Sequence, residues 1–127
     1  MELTVLASGS KGNCTYLRGE RGALLIDAGL SARETLRRLA NAGGDATLVE
    51  GILVTHEHID HIRGADVLAR RLHVPIYATG GTLEAFYEKC GATSAEVRRC
   101  RYGEPFCVGD FSVEPFARQC LLEGVDT

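Results

Sequence analysis

An apolar run with no polar alternation, Gly51-Ile52-Leu53-Val54, passes directly into Thr55-His56-Glu57-His58-Ile59-Asp60-His61. Such a run has no wet face, which restricts it to the middle of a sheet covered on both sides. The histidines that follow are then held at the end of a central strand and the start of a helix. Side chains two apart at a strand end share a side, so His56 and His58 converge on one point. The turn into the helix carries Asp60 and His61 round toward a neighbouring point. Neutral imidazole and carboxylate suit zinc, manganese or iron, and two adjacent ions clamp both the attacking and the leaving oxygen of a hydrolysis. On a purely structural reading Asp60 serves the helix N-terminus and the histidines are incidental. Four such groups in one short segment favour a metal site.

The rest of the chain alternates short runs of branched residues with segments of helical period, the pattern of an α/β layer architecture. Leu3–Ala7, Cys14–Leu17, Ala23–Ile26 and Pro75–Ala78 read as further strands. The segment Ser31–Asn41 places Ala32, Leu36, Leu39 and Ala40 on one face, opens with Ser31 and Glu34 at capping-box spacing and closes at Gly43. A second helix is predicted from about Asp60 to Leu72, with Ala65, Leu68, Ala69 and Leu72 inward. A third, near Thr82–Lys89, is predicted to bury Leu83, Phe86, Tyr87 and Cys90 and to stop at Gly91. Pro105–Val108 and Phe111–Phe116 form a predicted hairpin across Gly109-Asp110. The Ser8–Asn13 loop fits a plain turn better than a phosphate cradle, because no helix follows it. His73 fits a helix C-terminus better than a ligand role.

Composition narrows the function classes. The 127 residues carry 14 Lys and Arg against 17 Asp and Glu, a net charge of −3, so no global basic field draws the chain to nucleic acid. The arginine groups (Arg37 and Arg38, Arg70 and Arg71, Arg98, Arg99 and Arg101) read as solvated faces. No basic leader or long apolar run marks a secretion signal or a membrane span, so the expected location is cytoplasmic, with no membrane partner. The 5 cysteines include no Cys-x-x-Cys pair and are expected to be reduced, mostly packed thiols.

Thr55 to His61 resembles the H-x-H-x-D-H motif of the metallo-β-lactamase superfamily of binuclear metallohydrolases. The segments Ala7-Ser8-Gly9-Ser10-Lys11-Gly12-Asn13 and Leu25-Ile26-Asp27-Ala28-Gly29, with Ile62 and Gly64 beyond the histidines, are similar to the small bacterial YycJ/WalJ-type branch. Some members of that branch are described as phosphoribosyl cyclic phosphodiesterases and others as DNA exonucleases. The resemblance implies an α/β fold, the metallo-β-lactamase-like αββα sandwich, of which this chain holds mainly the first half. It implies two divalent metal ions, zinc first, with manganese or iron as alternatives. His56 and His58 would ligate one ion, and Asp60 and His61 the other. Asp27 would orient the histidine loop, and Asp60 would also touch the metal-bound water as a general base. The implied reaction is hydrolysis of a phosphodiester, DNA among the candidates, by a metal-bound hydroxide.

The superfamily completes its site with later groups: a histidine for the first ion, an aspartate bridging both and a histidine for the second. No histidine follows His73 here, and Ala117–Thr127 does not resemble the corresponding segment. The expectation is therefore an amino-terminal part of the domain over residues 1–116 and a divergent, truncated tail over 117–127. A sheet face left without its partner layer would favour self-association. Two alternatives stay open: a catalytically silent fragment with weak metal binding, and a thioester or lactone hydrolase of the same fold.

Overall fold

Residues with no polar alternation take the middle of the sheet, and the amphipathic segments cover it. The computed structural model describes residues 1–56 and 58–116; Glu57, Cys120 and the 117–127 segment named above lie outside the described residues. Three strands open the chain in antiparallel order: β1 (Glu2–Ala7), β2 (Cys14–Arg18) and β3 (Ala23–Ile26). Pairing then turns parallel through β4 (Val49–Leu53), β5 (Ile76–Thr79) and β6 (Val97–Cys100), giving a 6-stranded sheet in sequence order. Parallel neighbours require crossovers. These are α1 (Ala32–Asn41), then α2 (Ile59–Ile62) with α3 (Ala65–Leu72), then α4 (Gly80–Cys90).

Strand alternation feeds two cores. On the helix side Leu25, Ile52 and Ile76 pack with Leu39, Leu68 and Phe86. On the other side Leu24, Ile26, Leu53 and Tyr77 meet Val108, Phe111 and Val113 of a hairpin, β7 (Phe106–Val108) and β8 (Phe111–Val113). The hairpin thus lies on the face that the sequence leaves without a partner. At the edge strand β1, Leu3 and Val5 remain 56% and 57% exposed.

Several expectations change in detail. Ser31 caps α1 by accepting from Glu34 N (3.2 Å), but the Glu34 carboxylate pairs with Arg37 instead of closing the box. Thr35, not Ala40, occupies the buried face, its hydroxyl donating to Ser31 O. The predicted second helix is two helices, because Gly64 leaves the helical path to donate to Ala28 O (2.7 Å). In α4 Leu83 and Phe86 are buried, whereas Tyr87 and Cys90 face water. Strand β6 has no counterpart in the sequence reading: Arg98 and Arg99 interrupt its apolar pattern, and parallel pairing with β5 overrides that weak propensity.

The thiols divide accordingly. Cys14 and Cys100 are buried, but Cys90 and Cys107 are exposed, against the expectation of mostly packed cysteines. Burial lifts the Cys14 thiol from an ordinary 9.0 to about 12, with the nearby Asp27 charge adding to the shift, and lifts Cys100 to about 11. Native-state labelling with a maleimide should modify Cys90 and Cys107 and spare Cys14 and Cys100 until the chain unfolds, read by peptide mass spectrometry. Between about pH 9 and 12 the unfolded chain gives up the Cys14 proton and the folded chain retains it, so stability should fall as pH rises through that window.

Candidate metal centre

Strand β3 ends at Ile26, and Asp27 turns into the left-handed region at φ 65. Aspartate tolerates that conformation better than most residues, and non-glycine residues held there concentrate at functional sites. The turn is pinned by Asp27 N donating to Leu53 O (2.7 Å), which sets the end of β3 beside the end of β4. The carboxylate is 4% exposed, and both its oxygens are engaged. Oδ1 accepts from Thr55 N (2.8 Å); Oδ2 accepts from the Thr55 hydroxyl (2.7 Å) and faces His61 Nδ1 at 2.7 Å.

Proton bookkeeping at these atoms orients the rings. A carboxylate only accepts, so His61 Nδ1 carries the hydrogen, which in the neutral ring leaves the lone pair on Nε2. The Thr55 hydroxyl spends its single proton on Asp27 and therefore accepts from His56 Nδ1, 2.9 Å away. The two rings come within 4.6 Å centroid to centroid, tilted by 48°. Asp27, His56 and His61 each offer a ligand-type atom, all within 4.8 Å of one another. His61 Nε2 is 3.7 Å from Asp60 Oδ2.

Backbone bonds hold the loop that carries these rings. Ala28 N donates to His61 O (2.8 Å), and Asn13 N donates to Asp60 O (2.7 Å). Asn13 Nδ2 donates to Asp60 Oδ2 (2.9 Å) and to Gly9 O (2.9 Å), while Asn13 Oδ1 accepts from Gly9 N (3.2 Å). The Ser8–Asn13 loop is indeed the turn between β1 and β2, but its asparagine also aims the Asp60 carboxylate.

Of the sequence-predicted site residues, Asp27, His56, Asp60 and His61 are drawn together. His58 stands further out, exposed at the N-cap of α2, its ring 6.2 Å from that of His56. His73 is the left-handed C-cap of α3 (φ 58), away from this cluster. Sequence reasoning missed Thr55 and Asn13 as working parts. A threonine ahead of the first histidine and an asparagine closing a glycine-rich turn were the available signals, and each has an ordinary structural explanation.

The cluster sits where open α/β sheets place their ligands, outside the carboxyl ends of the parallel strands. Such a sheet, with imidazoles and carboxylates gathered beyond β3 and β4, defines an α/β protein with a candidate metal centre at its strand ends. The chain belongs to the metallo-beta-lactamase superfamily, whose family model matches residues 7–94. Among curated relatives it is 40% identical over 117 residues to exodeoxyribonuclease YycJ of Bacillus anthracis, spanning 91% of this chain and 44% of that one. It is 36% identical over 116 residues to exodeoxyribonuclease WalJ of Streptococcus pneumoniae, spanning 89% and 43%. Among solved structures, Rm3 metallo-beta-lactamase superposes with a TM-score of 0.74 at 25% identity, covering 91% of this chain and 48% of that one. The chain therefore spans less than half the length of the relatives it matches, and its fold is part of the metallo-β-lactamase sandwich. Among the described residues no helix is long and apolar enough to cross a membrane.

Proposed function

We propose that this chain carries the histidine-motif part of a metal-dependent phosphodiesterase, with DNA as the substrate class. The observation that carries this reading is the convergence of Asp27, His56 and His61, which bring ligand-type atoms within 4.8 Å of one another, with both Nδ1 atoms held in hydrogen bonds. That donor chemistry, neutral imidazole with carboxylate, fits zinc, with manganese or iron as alternatives. His56 and His58 would hold one ion, and Asp60 and His61 a second. Bound divalent ions supply activation of water near neutral pH and neutralisation of charge on phosphoryl oxygens.

The protein's own groups do the rest. Asp27 accepts three hydrogen bonds whose task is orientation: it fixes His61 directly and the Thr55 segment by two bonds. Asp60, steered by Asn13 and partly exposed, is the carboxylate available to take a proton from an attacking water. The YycJ and WalJ names support the phosphodiester over other esters. Unpaired thiols at Cys14, Cys90, Cys100 and Cys107 accord with a cytoplasmic location.

Hydrolysis of bis(p-nitrophenyl) phosphate and of a labelled oligonucleotide by the zinc- or manganese-supplemented chain tests the proposal. Product release should disappear in His56→Ala and in chelator. Turnover that survives His56→Ala, or cleavage confined to thioester substrates, overturns it.

A further inference from the structure

Thr55 is buried at 4% exposure, one residue ahead of the first histidine, and its hydroxyl lies between a carboxylate and an imidazole. The carboxylate does not need it to be satisfied at Oδ2, which His61 Nδ1 also reaches, while Thr55 N already serves Oδ1. Among the described residues the hydroxyl is the hydrogen-bond partner of His56 Nδ1. Its polarity is dictated from the far end, since Asp27 can only accept and the hydroxyl has one proton to give.

We infer that Thr55 is the positioning residue that sets the tautomer of His56, relaying the Asp27 carboxylate to a ring it does not touch. One buried carboxylate thereby directs two imidazoles from one oxygen, His61 at 2.7 Å and His56 through the 2.7 Å and 2.9 Å links of the Thr55 hydroxyl. Which ring nitrogen keeps its lone pair is decided by the hydrogen bond the other nitrogen makes. Without the hydroxyl, His56 Nδ1 loses its acceptor, and the proton is free to move to Nε2, the nitrogen needed for a metal. Partners of this kind typically change metal affinity by about 10- to 100-fold. The inference rests on the metal-centre reading above for its consequence, but not for its geometry.

The test compares Thr55→Val, close in shape but without the hydroxyl, with Thr55→Ser, which keeps it. In the metal-free chain with ¹⁵N-labelled histidine, the His56 signal should show hydrogen on Nδ1 for the wild type and Thr55→Ser, and a mixed or inverted tautomer for Thr55→Val. Zinc affinity, by competition with a chromophoric chelator, should fall about 10-fold or more in Thr55→Val and be largely restored in Thr55→Ser. A wild-type His56 with its hydrogen on Nε2 overturns the inference with no variant needed, even if Thr55→Val fails to fold. Unchanged affinity in Thr55→Val beside a loss in His56→Ala overturns it while leaving the metal centre standing. If His56→Ala binds zinc as the wild type does, the metal centre falls, and the nitrogen spectra alone decide the link from Thr55 to His56.

Discussion

Asp27→Ala is expected to cost about 4 kcal/mol of folding stability and more than tenfold in zinc affinity. The substitution strands three donors at once: the Thr55 amide, the Thr55 hydroxyl and His61 Nδ1. Each buried donor left without an acceptor is worth about 1–3 kcal/mol, and the sum is tempered because neighbouring losses do not add fully. Alanine is also a poor occupant of the left-handed turn at φ 65. Asp27→Asn separates the effects, since asparagine accepts that backbone but presents an NH₂ group toward one of the donors. Its stability should lie between the two, and its zinc affinity should stay close to that of the alanine variant. Urea unfolding and chelator competition read both quantities. A stability loss below about 1 kcal/mol for Asp27→Ala would show that the carboxylate is not the hub of the loop.

Gly29→Ala and Gly64→Ala should each destabilise the fold by about 3 kcal/mol, at the upper end of overpacking costs. Neither glycine has a positive φ, so the cost is one of space. A methyl group on Gly29 would overlap the carbonyl oxygen of Asp60, and one on Gly64 would overlap the carbonyl oxygen of Leu30. Backbone atoms cannot rotate aside as a side chain can. Relief at Gly29 must therefore push α2 outward, taking Asp60 and His61 with it, so zinc affinity should fall together with stability. Gly81→Ala in α4 is the control: nothing lies within 4 Å of its added methyl, and helix propensity should make it neutral or stabilising by up to about 1 kcal/mol. Thermal unfolding of the three variants checks the contrast, and equal behaviour at Gly29 and Gly81 would refute the crowding account.

The strands were readable wherever burial is two-sided, as in Ala23–Ile26, because nothing polar interrupts the run. The histidine segment was readable from residue type and spacing alone. Features decided by distant partners were not. The break at Gly64 depends on Ala28 O, and the pairing that makes a strand of Val97–Cys100 depends on β5. The hydrophobic hairpin residues betrayed a strand pair, but not that it would cover the second face of the sheet. The role of Asp27 came from the family resemblance and not from its spacing, since what distinguishes it is a left-handed backbone and three incoming donors.

The contacts that close the centre join residues 28, 34 and 47 positions apart. Loops of that length are paid for by association of whole elements, so β3 and β4 must be side by side before the first such bond can persist. Alignment of these groups therefore needs β3 beside β4 and the β1–β2 turn beside α2. A peptide spanning His56 to His61 would possess the donors without their alignment. The alignment that a metal centre requires is in this sense supplied by the assembled sheet rather than by the motif alone.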